Sequence, residues 1–192
     1  MKKRKPANAK GGASLLPLGL GKDSNSELLN VLKFVALFAL AFFPLQYALS
    51  STPTLSATAA GSAKLLLDLS GRPAGLDLSG PTPVLSVSEI SNPVEIIPLC
   101  SGATELAAVI ALVFASVDRT PKRRIAGAIA GSLAILAFNP ARIFLTLSLY
   151  DSANPVASVF AHDVLFRFSL VAFIAVFYAI WYYWDLPRRK EK

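Results

Sequence analysis

Three residues of this chain carry side chains that together could perform acyl transfer: Cys100, Arg142 and His162. A cysteine thiolate attacks a carbonyl carbon to form a thioester, a histidine moves the proton, and an arginine stabilises the negative charge that develops. The chain has one cysteine and one histidine, so neither is chosen from several candidates. These three residues define the candidate site, provided that the fold brings them together.

Cys100 lies where an apolar segment begins, in the sequence Pro98-Leu99-Cys100-Ser101-Gly102. Proline favours the first turn of a helix, serine can cap it, and glycine lets another backbone approach closely. A thiol at a helix amino terminus has its thiolate stabilised by N–H groups, which could also receive an oxyanion. The competing interpretation is an inert, small apolar residue. A single cysteine excludes an intramolecular disulfide.

Arg142 lies inside an apolar segment, where burying a charge costs from ~3 to more than 10 kcal/mol. Pro140 stands two residues earlier and weakens the local helical hydrogen bonding, which frees carbonyl groups. Asn139 adds a polar group. Two interpretations follow: a charge held for an anionic group or transition state, or a structural arginine bonded to those carbonyls.

His162 opens the last apolar segment, where its ordinary pKa suits a proton shuttle near neutral pH. The alternative is an amphipathic residue at the membrane boundary. Asp163 precedes Arg167 by four residues, so the two share a helix face, and we interpret that pair as structural. With one cysteine and one histidine, neither a metal site nor another cofactor is expected.

The elements that must position these residues are apolar helices. The composition is 54% hydrophobic and 16% charged, whereas soluble domains average about 25% charged residues. The apolar residues form long blocks rather than an amphipathic pattern. This predicts an all-α membrane protein with about four transmembrane helices, at 29–49, 99–117, 125–149 and 164–184.

Basic residues set the expected orientation of these helices. Of the 19 lysines and arginines, 15 lie in residues 1–33, in the run 119–124 or from Arg188 onward. The positive-inside rule then places both termini in the cytoplasm, with basic tails at 1–28 and 185–192. This distribution indicates contact with membrane lipids and argues against nucleic-acid binding. It also places the three candidate residues, in a core spanning 99–184, on the outer face of a multi-pass plasma-membrane protein.

The segment 50–98 is expected to be extracytoplasmic, because it is rich in serine, threonine, proline and glycine and has two basic residues. A short interfacial helix is predicted over 59–69 and a short strand or extended loop over 84–97. The first apolar helix could instead be a cleaved signal, since Ala48-Leu49-Ser50 resembles a cleavage site. Its long basic leader favours a retained anchor.

The candidate residues resemble the exosortase/archaeosortase family of membrane cysteine transpeptidases. The resemblance covers roughly 90–180 and rests on Cys100-Ser101-Gly102, on the sequence NPARI from Asn139, and on His162. It implies cleavage of a carboxy-terminal sorting signal on exported proteins, consisting of a short motif, a hydrophobic helix and a basic tail. It also implies transfer of the protein to a lipid or other envelope acceptor. Many members have more helices than four.

The mechanism expected from these residues uses Cys100 as nucleophile, Arg142 as stabiliser of the oxyanion or thiolate, and His162 as general acid and base. The thioester would pass to an amine acceptor or to water. Ser101, Gly102 and Asn139 are supporting candidates. Two other classes stay open: a non-enzymatic membrane scaffold or assembly factor, and a serine intramembrane protease using Ser101 and His162.

Overall fold

The computed structural model describes residues 24–88, 90, 92–149 and 166–184. This part of the chain is mostly helical, as predicted. Its five α-helices are α1 (Ser24–Ser50), α2 (Pro53–Leu69), α3 (Ala103–Ala115), α4 (Pro121–Ser148) and α5 (Phe166–Tyr183). His162 and Asp163 lie outside the described residues, and so do the predicted basic tails except for a few residues of the first. The proposed Asp163–Arg167 pair therefore stays a prediction.

Two helices are long and apolar enough to cross a membrane: Ser26–Ser50 within α1, and Pro121–Ser148, which is α4. The apolar helices α3 and α5 are shorter, and the 13 residues of α3 rise only about 20 Å. Large apolar side chains on α1, α4 and α5 face outward, with Leu40, Phe43, Leu133 and Phe168 63–73% exposed. Such faces suit lipid. The number of four spans and their orientation stay predictions.

A small antiparallel sheet makes the all-α expectation incomplete. Its order is β1 (Ala74–Asp77), β2 (Val84–Val87) and β3 (Val94–Glu95). Leu76 faces Leu85 across the first pair, and Leu85 faces Val94 across the second. The predicted strand over 84–97 corresponds to β2 and β3, whereas β1 was not predicted. The predicted helix over 59–69 lies within α2, which begins six residues earlier at Pro53 because proline fits a first turn.

Helix α2 and the sheet form a folded unit, the cap, that packs on the carboxy-terminal end of α4. Leu67 of α2 and Leu85 of β2 are fully buried, and Ile96 follows β3 at 2% exposure. They share one apolar cluster with Ile143 and Leu147 of α4. The cap therefore covers the same end of α4 that carries Arg142.

A second apolar cluster joins α3 to the other long helices. Leu106 and Val109 of α3 are buried with Ile135 of α4, and Phe173 and Phe177 of α5 pack against them. The Gln46 side chain of α1 donates a hydrogen bond to the Thr104 hydroxyl of α3 at 2.9 Å. Helix α3 is thus the central helix, although it is the shortest of the four that resemble spans.

Two glycines of α4 allow this close packing. A Cβ at Gly127 would lie 2.2 Å from the indole nitrogen of Trp181, and one at Gly131 would lie 2.3 Å from Val109 Cγ1. Real Cβ atoms do not approach other atoms this closely. Gly131 is also pressed by the Phe177 ring, so it touches side chains of both α3 and α5. The surface that these small residues create on α4 is therefore occupied within the chain.

The turn between α3 and α4 and the basic first turn of α4 are tied to the aromatic end of α5. Arg123 donates to the carbonyl oxygen of Trp181 at 2.6 Å, and Tyr182 donates to Asp118 at 3.0 Å. The hydroxyls of Ser116 and Tyr178 are 2.7 Å apart. These bonds fix one end of the helix bundle, opposite the end that the cap covers.

We predict that Gly131→Ala destabilises the protein by about 1–3 kcal/mol, because the added methyl group overpacks the contact between Val109 and Phe177. The matched control is Gly61→Ala in α2, where an added Cβ meets nothing within 4 Å. There alanine gains about 0.5–1 kcal/mol from helix propensity. Thermal unfolding in detergent micelles measures both. Equal effects of the two substitutions would contradict this packing.

A second prediction concerns Asp68, which joins α2 to β1 inside the cap. Its carboxylate accepts a hydrogen bond from Lys64 and another from the Ala74 backbone N–H at 3.0 Å, and these bonds hold the pKa of Asp68 below its ordinary value of 3.8. Because the folded pKa is the lower one, this stabilisation is present above pH ~4 and is lost as the pH falls through the folded value. Between pH 6 and pH 3, the stability of the Asp68→Asn variant should therefore decrease less than that of the wild type, measured in the same unfolding assay. Parallel losses would show that Asp68 does not contribute.

Candidate active site

Cys100 ends a short 3₁₀ helix, Pro98–Cys100, that connects the cap to the helix bundle. Its backbone N–H donates to the Ile97 carbonyl oxygen at 2.8 Å, and its side chain is half-buried against the apolar cluster of the cap. The expectation that Cys100 begins the second span needs correction, since α3 starts three residues later, at Ala103. The thiol therefore lies in the turn before α3 and outside the helix.

Ser101 and Gly102 shape the turn that follows. The Ser101 hydroxyl donates to the Pro98 carbonyl oxygen at 2.7 Å and accepts the Ala103 N–H at 3.3 Å. It thus serves as a cap one residue ahead of the formal N-cap position, Gly102. Gly102 has a φ of 87°, a left-handed conformation that favours glycine.

The sequence predicts that another backbone approaches Gly102 closely. The group that approaches Gly102 is instead a side chain. A Cβ at Gly102 would lie 3.2 Å from Asn139 Cγ. Asn139 projects from α4 and donates from Nδ2 to the carbonyl oxygen of Cys100 at 3.0 Å. A larger residue at 102 would push the Asn139 amide away from this bond. Gly102 is therefore required both by its backbone conformation and by the contact with α4.

Arg142 is 4% exposed and lies one helical turn after Asn139 on α4. Its Nη2 donates to Asn139 Oδ1 at 2.7 Å, and its Nη1 lies 3.3 Å from Glu105 Oε1. These two bonds go to side chains; the expected bonds to carbonyls freed by Pro140 stay a prediction. Asn139 is thus the link between the guanidinium and the backbone of the candidate nucleophile.

Glu105 completes this arrangement, and its role was not foreseen from the sequence. It lies in the first turn of α3, is 4% exposed, and forms a buried ion pair with Arg142. A signal was available: Glu105 is the one acidic residue in the apolar stretch 103–115, and an ionisable residue in such a segment indicates a function or a partner. Two opposite charges in different apolar segments, such as Glu105 and Arg142, are expected to pair with each other.

The structure therefore brings together Cys100, Arg142 and Asn139 of the predicted residues, with Ser101 and Gly102 beside them. One chain of contacts runs from Glu105 through Arg142 and Asn139 to the Cys100 carbonyl. Burial raises the pKa of the Cys100 thiol, while the charge of Arg142 lowers it and that of Glu105 raises it. His162 is outside the described residues, so its predicted proximity is untested. Within the described ranges, no three His, Cys, Asp or Glu residues cluster as metal ligands would.

A family model described as transmembrane exosortase matches residues 13–182. This chain belongs to the exosortase family. The exosortases are membrane cysteine transpeptidases, so membership makes the chain a transpeptidase-like membrane protein. The match extends well beyond the roughly 90–180 on which the sequence resemblance rested and includes α1 and the cap. No curated protein and no solved structure shows a significant match to this exosortase-family chain.

We predict that Asn139→Ala destabilises the exosortase-family chain by about 1–3 kcal/mol, because it removes a buried acceptor from Arg142 and a donor from the Cys100 carbonyl. The control is Asn92→Ala, an exposed asparagine whose loss should change stability by less than about 0.5 kcal/mol. Thermal unfolding in detergent compares them. The Cys100 turn should also become more accessible in Asn139→Ala, measured by the rate of maleimide labelling. An unchanged rate would show that Asn139 does not hold the turn.

Proposed function

We propose that this exosortase-family chain is a cysteine transpeptidase that cleaves the carboxy-terminal sorting signal of exported proteins. It passes them to a lipid or envelope amine acceptor through a thioester. The observation that carries the proposal is the contact between the Cys100 turn and the buried Arg142, bridged by Asn139. A charged arginine is expensive in an apolar segment, and here Asn139 links it to the backbone of the residue that carries the one thiol of the chain.

The reaction proceeds in two acyl transfers. The Cys100 thiolate attacks the scissile carbonyl carbon, and the resulting oxyanion is stabilised by the positive charge of Arg142. The C–N bond then breaks, the leaving amine takes a proton, and the thioester remains on Cys100. The acceptor amine attacks this thioester and gives a proton to His162, the C–S bond breaks, and the thiolate is regenerated. His162 is assigned the proton transfers: it accepts the thiol proton and later protonates the leaving amine.

The location of the turn supports a reaction at the membrane surface. Cys100 lies between the cap and the first residue of an apolar helix. A substrate with a hydrophobic helix can be held in the bilayer while its extended motif reaches such a turn. With the amino terminus and the basic run 119–124 in the cytoplasm, this turn faces the extracytoplasmic side of the plasma membrane.

The hydrogen bonds of Ser101 argue for cysteine over serine as the nucleophile. The Ser101 hydroxyl donates its proton to the Pro98 carbonyl oxygen and accepts the Ala103 N–H. A serine nucleophile has to give its proton to a base instead. The hydrogen bonds of Ser101 stabilise the turn and do not prepare its hydroxyl to attack a carbonyl.

The proposal predicts that Cys100→Ala abolishes processing of exported proteins that end in a motif, an apolar helix and a basic tail. Loss of the nucleophile should reduce the rate by at least ~10³-fold. Electrophoretic mobility of such a protein in cells, compared at equal membrane levels of the enzyme, measures the loss. Neutral hydroxylamine should release the substrate from wild-type Cys100, because it cleaves thioesters.

Other outcomes point to the other classes. Undiminished processing in Cys100→Ala would refute the transpeptidase and leave a scaffold. Activity in Cys100→Ser together with complete loss in Ser101→Ala would indicate a serine protease.

A further inference from the structure

The buried carboxylate of Glu105 is only partly satisfied. Its Oε1 contacts Arg142, whereas its Oε2 is buried and receives no hydrogen bond within the described residues. Taking a carboxylate and a guanidinium out of water costs several kcal/mol per ion, and the unbonded Oε2 adds to that cost. A neutral glutamine would fill the same space at lower cost. The negative charge therefore needs an explanation beyond packing.

The geometry at Arg142 gives the first part of that explanation. The guanidinium is planar, and acceptors on two of its nitrogens fix both its position and the rotation of its plane. Here the acceptors come from different helices: Glu105 from α3 and Asn139 from α4. The bond to Glu105 ties Arg142 to α3, whereas the bond to Asn139 ties it to its own helix. The carboxylate thus sets where the guanidinium lies relative to the turn that precedes α3.

The second part is electrostatic. Burial raises the pKa of the Cys100 thiol; beyond that, Arg142 favours its charged form and Glu105 opposes it. The charged cap residues Lys64 and Asp68 pair with each other at the cap surface. Among the described residues, the charges that shift the pKa of Cys100 are those of Arg142 on α4 and Glu105 on α3. Their opposite effects make the charge of Glu105 measurable at the sulfur.

We propose that Glu105 is a positioning residue for the acyl transfer. Its carboxylate holds the Arg142 guanidinium between α3 and Asn139 and offsets part of its charge at Cys100. Arg142 is then oriented for the oxyanion while the resting thiol is less strongly ionised. The role of Glu105 in turnover rests on the function proposed above, whereas its effect on the thiol does not depend on that function.

The test compares Glu105→Gln with Glu105→Asp. Glutamine keeps the size and an acceptor oxygen but removes the charge, so the pH profile of Cys100 alkylation should move to lower pH by about one unit. Processing should nevertheless fall by at least ~10-fold, because a misplaced guanidinium loses oxyanion stabilisation. Aspartate keeps the charge but is one methylene shorter. Its alkylation profile should stay near that of the wild type, while processing again falls.

The Arg142→Gln substitution should shift the alkylation profile in the opposite direction. Loss of the positive charge should move the alkylation profile to higher pH, since Glu105 then acts on the thiol alone. A merely packing role for Glu105 predicts undiminished processing in Glu105→Gln, since the isosteric amide preserves the packing. In folded Glu105→Gln, an unchanged profile or undiminished processing overturns the proposal. If this variant does not fold in detergent, undiminished processing in Glu105→Asp overturns it.

The two readouts separate this inference from the function on which it rests. Alkylation with iodoacetamide reports the Cys100 thiol of the purified full chain and requires no turnover. If Cys100→Ala leaves processing intact, the transpeptidase proposal fails, and the turnover role of Glu105 fails with it. The alkylation profiles then still decide whether Glu105 and Arg142 act on the thiol with opposite signs. If Cys100→Ala abolishes processing and Glu105→Gln does not reduce it, only the positioning role is refuted.

Discussion

The ion pair between Glu105 and Arg142 is the interaction on which the candidate site depends. Each of these charges lies in an apolar helix, and either one alone would be an uncompensated charge in a medium that solvates it poorly. Pairing requires α3 and α4 to meet at one depth and with one rotation. The small residues of α4 make this possible, because Gly131 lets Val109 of α3 approach closely. Packing and charge pairing therefore select the same arrangement of helices.

The cap helps to hold the Cys100 turn near that pair. Cys100 follows β3 by five residues, so the sheet fixes one end of its turn and α3 fixes the other. The apolar cluster shared by Leu67, Leu85 and Ile143 holds the cap on α4, and Asn139 ties the turn to the same helix. The candidate site is thus a junction of three elements, none of which positions Cys100 alone.

The sequence predicted the helical elements well, because long apolar blocks have few alternatives. It also identified Cys100, Arg142 and Asn139, since their residue types are unusual in such segments. It did not predict β1, where glycine and short length weaken the strand pattern, or the separation of Cys100 from the start of α3. The pairing of Glu105 with Arg142 joins residues 37 positions apart. The single acidic residue in the stretch 103–115 signals that Glu105 needs a partner, but only the packing of α3 on α4 determines which one.

Helix α4 also relates the candidate site to the thickness of the bilayer. Its 28 residues rise about 42 Å, whereas a hydrocarbon core is about 30 Å thick. With Lys122 and Arg123 held at one interface, the other interface falls close to Arg142, and the last turn of the helix stands above it beneath the cap. The basic end of the helix and the bilayer thickness together therefore decide which residues of α4 lie at the other interface. In this orientation a thinner bilayer would place this end of α4 above the hydrocarbon core and a thicker one would draw it in, so hydrophobic mismatch would act on the end of the helix that carries the buried Arg142.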